Sequence, residues 1–262
     1  IFKSDGAAVQ QQDYVSLVQR LAKAEFPQAR ASACSLIATP YPTVPVAVKA
    51  TLRQTFQKLC ADEEIMVRRS ACIALGKPFA AVLGQQCSDL LTQFAAFCRD
   101  ASDGVRVQAV PTALALLGHL PDAGISQVVT LLKTLSSDSS WRVRYMVADR
   151  IGGFTKVFSS TDVQRVCAPM FKSLCQDAEP EIRAAAVFNM HFLLGGMTDA
   201  TVKKDMLNIG TRLAADANAH VRMSLASDVL QCVPSVPKDL WSSVIASCST
   251  RLLNDADADV RL

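Results

Sequence analysis

The stretch Asp138-Ser-Ser-Trp-Arg-Val-Arg-Tyr-Met-Val-Ala-Asp149 contains a phrase that recurs along this 262-residue chain: an Asp, a few small or polar residues, then Val-Arg. Copies begin at Asp62, Asp100, Asp138, Asp177, Asp216 and Asp255, so successive copies are 38 or 39 residues apart. Arg30 marks an earlier, weaker copy, in which Ala24 takes the place of the Asp. A fixed period of this length is typical of helix pairs that stack in a line, a helical solenoid.

Each copy predicts a short turn followed by the start of the second helix of a pair. Counted from the Asp, apolar residues stand at positions 5, 9 and 13, and this spacing places them on one helical face. Examples are Val67, Ala71 and Leu75, and Ile182, Ala186 and Met190. Position 2 holds residues such as Ser140 and Asn218, whose side-chain oxygens suit a helix N-cap. Position 3 is then the first helical residue, where Pro180 is favoured.

An Arg stands six residues after each Asp. We hypothesise that each Arg reaches an Asp of its own or a neighbouring turn, so that the pairs form a ladder along the stack. The residues assigned to this structural ladder are Asp62, Asp100, Arg106, Asp138, Arg144, Asp177, Arg183, Asp216, Arg222, Asp255 and Arg261. Repeated phosphate binding by the arginines is the weaker alternative, because a nearby Asp would compete with any phosphate.

The period predicts an all-α superhelix of about five complete helix pairs, with partial pairs at the ends, as a single array over residues 1–262. The predicted repeats cover residues 11–42, 46–83, 86–119, 122–158, 161–196, 199–234 and 237–262. None of these helices could bury its apolar face alone, so stability must come from stacked neighbours. The last copy stops before its second helix can form and the first residue is not Met, so we expect a piece of a longer array.

Composition argues against several classes of protein. Hydrophobic residues make up 50% of the chain and charged residues 19%, which supplies a core and is not typical of disorder. The net charge of +3, from 27 basic and 24 acidic residues, lacks the basic excess of a nucleic-acid-binding protein. No apolar run approaches the roughly 18 residues of a membrane-spanning helix. We therefore expect neither nucleic acid nor membrane as a partner.

The cysteines and histidines indicate neither disulfides nor a catalytic site. The nine cysteines include no Cys-x-x-Cys pair, which favours free thiols in a reducing compartment, the cytoplasm and also the nucleus. His119, His191 and His220 are far apart and in different helical phases. No Gly-rich phosphate loop is present. The sequence therefore predicts no enzyme activity, no catalytic residue, no metal and no cofactor.

Two large apolar residues occupy position 3, on the ridge of turns where water is expected: Ile65 and Trp141. The ring of Trp141 either folds back over the adjacent turn or is an exposed anchor for a protein partner, since interfaces favour Trp and Arg. Arg69 and Arg142 lie beside these positions and outside the ladder phase, which leaves them able to contact a partner. The second tryptophan, Trp241, is interpreted as a packing residue.

Ser140-Trp-Arg-Val-Arg-Tyr-Met-Val-Ala-Asp149 closely resembles part of the scaffold (A) subunit family of protein phosphatase type 2A, which is built from HEAT repeats. The same family is resembled by Met66-Val-Arg-Arg69, Ala47-Val-Lys-Ala50, Glu181-Ile-Arg-Ala-Ala-Ala186 and Leu225-Ala-Ser227. These matches run in order from about Arg30 to Leu262. The resemblance therefore covers most of the chain.

The resemblance implies a HEAT-repeat α-solenoid, a fragment of the N-terminal half of a non-catalytic scaffold for a Ser/Thr phosphatase. In that family the turns within N-terminal repeats bind a regulatory B subunit, and C-terminal repeats, absent here, bind the catalytic subunit. By resemblance the partner-binding residues are Ile65, Arg68, Arg69, Asp103, Trp141, Arg142, Glu179 and Pro180. The family commonly has Pro where Ile65 stands, which is a departure at this surface.

A HEAT-repeat adaptor or nuclear-transport-type carrier for another protein partner is the alternative. Such a carrier would need acidic or aromatic rows on its second helices. The sequence shows small apolar residues there, with Arg150, Asn189 and Asp228 at position 12. A catalytic helical repeat would need clustered His, Glu or Asp, which the sequence lacks.

Overall fold

The computed structural model describes residues 7–83 and 88–261, apart from the side chains of residues 7–10, 77 and 78. The chain forms two compact units, Ile1–Leu131 and Leu132–Leu262. Across the described residues all regular structure is helical, and the predicted all-α fold is confirmed. The predicted repeat limits at residues 86 and 262 lie outside the described residues.

The first unit consists of helices joined by short turns. Its helices are α1 (Ala7–Leu21), α2 (Pro27–Leu36), α3 (Val46–Cys60), α4 (Ile65–Ala74), a π-helical segment (Leu75–Phe79), α5 (Ala80–Leu83), α6 (Leu91–Cys98), α7 (Asp103–Leu117) and α8 (Asp122–Leu135), which contains the limit between the units. The second helices α4 and α7 begin at position 3 of the repeated phrase, as the sequence predicts.

The second unit continues the alternation with more irregular first helices. Its elements are α9 (Trp141–Arg150), a 3-10 segment (Ile151–Lys156), α10 (Ser160–Asp162), a π-helical segment (Val163–Cys167), α11 (Ala168–Leu174), α12 (Pro180–Val187), α13 (Met190–Gly196), α14 (Ala200–Leu213), α15 (Ala219–Val229), 3-10 segments (Val233–Ser235 and Lys238–Leu240), a π-helical segment (Trp241–Ala246), α16 (Ser247–Leu253) and α17 (Ala258–Arg261). Here too α9, α12, α15 and α17 begin at position 3.

Second helices of neighbouring repeats pack directly on one another. In the first unit α4 packs between α2 and α7, and in the second unit α12 packs between α9 and α15. The rows at positions 5 and 9 are fully buried, as Val67 and Ala71 show in α4 and Ile182 and Ala186 show in α12. Burying a side chain of Val or Ile size contributes about 1.5–3 kcal/mol. The Ala at position 9 lets two helices approach closely.

Capping of the second helices differs from the prediction. Asn218 accepts a hydrogen bond from the backbone N–H of His220, at 2.8 Å. No side-chain cap forms at Glu64, Ser102, Ser140 or Glu179. Instead, the side chain of the Asp two residues before the cap position accepts a backbone hydrogen bond. In the α4 turn, Asp62 Oδ1 accepts from the N–H of Glu64 at 3.0 Å. This Asx turn fixes the chain just before the helix, so the cap residue need not supply an oxygen.

Two second helices are interrupted. The sequence predicts a helix over residues 65–76 that Pro78 stops or bends, and the break lies at Gly76, with φ −64° and ψ −118°. The sequence also predicts one helix over residues 180–194, but the structure has two helices there, α12 and α13. Asn189 causes this break, because its side-chain amide donates to the carbonyl of Ala185 at 2.9 Å while its backbone N–H bonds to Ala186. Such local side-chain bonds compete with the helical pattern.

Candidate protein-interaction surfaces

The ladder arginines make bidentate ion pairs with the Asp in the turn of the next repeat. In the first unit Arg68 Nε lies 2.7 Å from Asp100 Oδ2, and Nη2 lies 3.0 Å from Oδ1. In the second unit Arg183 makes the same pair with Asp216, with both distances 2.8 Å. The other pairs of this kind are Arg30–Asp62, Arg144–Asp177 and Arg222–Asp255. Each pair therefore joins one repeat to the next within its unit.

The third nitrogen of each guanidinium is bound within its own turn. Arg68 Nη1 donates to the carbonyl of Asp62 at 2.9 Å, and Arg183 Nη1 donates to the carbonyl of Asp177 at 2.8 Å. Arg106 and Arg261 make the same backbone bond, to the carbonyls of Asp100 and Asp255. The Asp138 carboxylate accepts from the N–H of Ser140 at 2.8 Å. Since these groups are engaged within the protein, the geometry supports a structural role for the Arg rather than phosphate binding.

The ion pairs lower the pKa of the ladder carboxyls. At Asp62 the largest cause is the hydrogen bond from Arg30. At Asp216 burial is the largest single influence and opposes the shift, but the bonds from Arg183 and from the N–H of Asn218 outweigh it and the pKa is lowered. The bond from Arg222 lowers the pKa of Asp255 to about 2. The carboxylates are therefore ionised at neutral pH, as paired anions.

Arg68 requires a correction, because it was assigned to partner binding by resemblance. All three of its guanidinium nitrogens are engaged, with Asp100 and with the carbonyls of Asp62 and Glu63. Its side chain is only 18% exposed. Arg68 is therefore a member of the ladder. The sequence position alone could have assigned Arg68 to the ladder, since it stands at position 6 like the other ladder arginines.

The first unit presents an aliphatic surface on α4. Ile65, the first residue of the helix, is 50% exposed, and Met66 is 42% exposed. Arg69 is exposed one turn further along, and Ile73, two turns along, is 46% exposed. We call Ile65, Met66, Arg69 and Ile73 the α4 surface. Asp103 begins α7 in the same way and is half-buried.

The second unit presents an aromatic residue at the equivalent position of α9. The Trp141 side chain is 46% exposed. The guanidinium of Arg142 lies over its ring, with Cζ 5.7 Å from the ring centroid, a cation–π distance. Glu179 is exposed and Pro180 half-buried at the start of α12. These four residues form the α9–α12 turn surface. Partner binding by these residues stays a prediction.

Trp241 differs from its interpretation as a packing residue. It is 40% exposed, and its indole N–H donates to the carbonyl of Val236 at 3.0 Å. The bond fixes the ring against its own turn rather than in a core.

Sequence reasoning missed exposed aromatic residues on the second helices. Tyr145 is 36% exposed, Phe188 49% and Phe192 43%. Tyr145 could have been found, because it lies four residues after Trp141 and so on the same face of α9. Phe188 could also have been found, because it stands at position 11 of its repeat, the position of the exposed Ile73 on α4. Phe192 could not, because it follows the break at Asn189, which changes the helical phase between α12 and α13.

The carboxylate at position 12 of its repeat, Asp228, is buried, which the sequence did not predict. Asp228 on α15 is fully buried, accepts from the backbone N–H of His191 at 3.1 Å and contacts the His191 ring nitrogen Nδ1. Cys232 donates to it at 3.3 Å. Burial raises the pKa of Asp228 and the bond from His191 opposes this. The bonds tie α13 to α15 and the Asp228 carboxylate is closed to solvent, so we assign it to the framework.

The part of the chain that the structure describes holds no group of three or more His, Cys, Asp or Glu residues placed to bind a metal ion. None of its helices is long and apolar enough to cross a bilayer. The described cysteines are free and buried. Burial raises their pKa, to about 12 for Cys34 and about 11 for Cys248, so these thiols are protonated and unreactive at neutral pH.

No protein-family model matches the chain. A curated relative, the regulatory (A) subunit of protein phosphatase PP2A from Schizosaccharomyces pombe, is 38% identical over 151 residues, which are 56% of this chain and 26% of the relative. Over this stretch the chain is similar to a PP2A regulatory (A) subunit. The beta isoform of the 65 kDa regulatory (A) subunit from Homo sapiens is 49% identical over 70 residues, 27% of this chain and 12% of that protein. The matches thus span about a quarter or less of these PP2A relatives, and the resemblance drawn from the sequence is confirmed.

Solved structures similar to the chain show the same kind of fold. Kap95p, in a structure with RanGDP, has a TM-score of 0.69 at 10% identity and covers 97% of this chain and 36% of its own. Cex1p has a TM-score of 0.66 at 13% identity, over 99% of this chain and 52% of its own. A designed armadillo repeat protein has a TM-score of 0.53 at 15% identity, over 86% of this chain and 100% of its own. These neighbours confirm the predicted α-solenoid fold.

Proposed function

We propose that this chain is part of a non-catalytic scaffold of a protein phosphatase 2A holoenzyme and binds a regulatory B subunit through the turns that begin its second helices. The observation that carries the proposal is the exposure of Trp141 at the first position of α9, within the stretch that most resembles the PP2A scaffold. A half-exposed indole with a guanidinium beside it has the composition of an interface hot spot. Neighbouring turn residues extend the same surface.

The α4 surface supports the same role in the first unit. Ile65 and Met66 offer apolar area to a partner, and Arg69, which has no ion pair among the described residues, offers charge. The ladder beneath these residues holds the turns in place, because each guanidinium bridges two turns by several short bonds. A surface of this kind is preformed, so little conformational entropy is lost on binding.

The scaffold would act by proximity rather than by chemistry. A B subunit bound to the turns and a catalytic subunit bound to repeats outside this chain would share one support. The phosphatase would then meet recruited substrates at an effective concentration set by the assembly. The cytoplasm, with the nucleus in addition, is the compartment that we propose for this activity, since buried free thiols suit reducing conditions.

The test is a pull-down of purified B subunits by the full chain and by its Trp141→Ala/Arg69→Ala variant. We expect the double variant to bind at least about tenfold more weakly, since interface hot spots are worth about 2 kcal/mol or more. The matched control is Trp241→Ala/Arg99→Ala, which removes an exposed tryptophan and an exposed arginine elsewhere. Equal recovery by the wild type and the Trp141→Ala/Arg69→Ala variant would contradict the proposal.

An adaptor or carrier for another protein remains the second candidate. A carrier needs aromatic or acidic rows on its second helices, and Tyr145, Phe188 and Phe192 supply exposed aromatic side chains there. A chain that binds no B subunit but binds another protein through these residues would favour the adaptor.

A further inference from the structure

The second unit has a shallow groove on its second helices, away from the ladder bonds. The groove has a volume of about 170 Å³ and lies among α9, α12 and α15. The aromatic, acidic and polar side chains that line the groove are those of Tyr145, Asp149, Glu181, Phe188, Asn189 and His220. Small-molecule sites usually measure roughly 300–1,000 Å³. A groove of this size suits one side chain of a larger partner.

Aromatic rings provide the apolar part of the groove. Tyr145 on α9 is 36% exposed, and Phe188 at the end of α12 is 49% exposed. The small side chains of Ala184 and Ser224 lie in the same groove and leave the space open. The face of an aromatic ring carries negative potential, so it attracts a cation as well as apolar groups.

Acidic side chains provide the polar part. Glu181 is exposed and has no ion pair among the residues described. Asp149 is paired with Arg150 at 3.0 Å, but both side chains are about half exposed, at 40% and 54%. An exposed pair of this kind is weak and can exchange for an incoming cation. His220, whose backbone N–H is held by Asn218, is the further titratable group in the groove.

The groove is preformed by bonds beneath it. The side-chain amide of Asn189, which is 7% exposed, donates to the carbonyl of Ala148 at 3.2 Å and to that of Ala185 at 2.9 Å. It therefore joins the end of α9 to the end of α12. Gly152 permits this approach, because a Cβ atom there would lie 2.4 Å from Asn189 Oδ1. Phe188 and Tyr145 thus stand on a rigid support.

We propose that this groove receives a lysine or arginine side chain from a basic segment of a partner protein. The alkyl stem would lie against Tyr145 and Phe188, and the charged end would reach Glu181 and Asp149. Charge complementarity selects this occupant, because the groove presents aromatic faces and two carboxylates to solvent. The inference concerns residues outside the turn surfaces, so it stands or falls independently of B-subunit binding.

The test uses three fluorescently labelled octapeptides in which Gly alternates with Arg, with Gln or with Glu, here called the arginine, glutamine and glutamate peptides. Fluorescence anisotropy measures their binding to the full chain. We expect the arginine peptide to bind at least tenfold more tightly than the glutamine peptide and the glutamate peptide not to bind. Glu181→Gln/Phe188→Ala should weaken arginine-peptide binding at least fivefold, and raising the salt concentration should weaken wild-type binding.

The matched control is Glu25→Gln/Phe26→Ala, which makes the same two chemical changes at exposed residues of the first unit. It should bind like the wild type. Glu181→Lys, a single reversal of charge at an exposed residue, is the second variant and should abolish arginine-peptide binding while circular dichroism shows an intact fold. Equal binding of all three peptides, or equal loss in the control and groove variants, overturns the proposal.

Discussion

Two second helices, α4 in the first unit and α9 in the second, share one framework and present different surfaces. Each begins at position 3, buries Val at position 5, and holds an Arg that pairs with the Asp of the next turn. Yet α4 exposes Ile65 and Met66, whereas α9 exposes Trp141 and Tyr145. The difference shows that the framework leaves the outward positions free to vary. Binding chemistry can therefore change from repeat to repeat without a change of fold.

The largest expected effect tests whether the framework is equivalent in the two units. Asp216→Ala would leave Arg183 without its carboxylate, and Asp100→Ala would do the same to Arg68. Each Asp also holds a backbone N–H in its turn. We expect each variant to lose about 3 kcal/mol of unfolding free energy, since breaking a largely buried pair strands a charge. Urea denaturation of each variant measures this change in unfolding free energy.

The control for this prediction removes both partners. Arg183→Leu/Asp216→Ala should recover part of the lost stability, because no unpaired charge remains. A loss in one unit at least three times that in the other would show that the two frameworks are not equivalent.

A smaller effect is expected from glycines that differ in their surroundings. Gly152→Ala would place a Cβ 2.4 Å from Asn189 Oδ1 and 2.7 Å from Phe192, so we expect a loss of about 2 kcal/mol. Gly104→Ala in α7 meets only the Ser102 hydroxyl oxygen, at 3.5 Å, and should be neutral or stabilising by up to about 1 kcal/mol. Thermal unfolding of the two variants compares them directly. A neutral Gly152→Ala would contradict the close approach in the second unit.

Helix caps should distinguish the units by about 1 kcal/mol. Asn218→Ala removes a side-chain cap on α15, and such caps are worth roughly 0.5–2 kcal/mol. Glu64→Ala on α4 removes no cap bond and should change the unfolding free energy by less than about 0.5 kcal/mol. Denaturant midpoints report both changes. Equal losses would indicate that Glu64 contributes in some other way.

The smallest expected effect is the loss of stability in acid that follows from protonation of the ladder carboxyls. Their pKa is lowered in the folded state, so the stability that they contribute is present above the unfolded value near 4 and is lost as the pH falls through the folded value. For Asp255 the folded pKa is about 2, which places the loss between about pH 4 and pH 2. We expect the melting temperature to fall across this window. Asp255→Asn should flatten that fall, and an unchanged slope would argue against the pairing.

Much of the framework could be predicted because it is local and repeated. The period located the second helices, position 3 began each of them, and the spacing of Val67 and Ala71 placed them in the core. The candidate sites were less predictable. Arg68 was assigned to binding although its phase matched the ladder, and Tyr145 was overlooked although it follows Trp141 by one helical turn.

The sequence by itself determined the helical repeat and the positions that face inward, because burial every four residues and an Asp-to-Arg spacing of six express the geometry of a helix and its turn. Only the tertiary structure decided that each Arg crosses to the next Asp, that Asn189 divides a helix, and that Phe188 meets Tyr145 across a groove. The break at Asn189 depends on a local side-chain bond that competes with the helical pattern, and the ladder pairs and the groove depend on contacts between residues more than about thirty positions apart. Such contacts follow from how neighbouring helices pack, which no periodicity within one helix can specify.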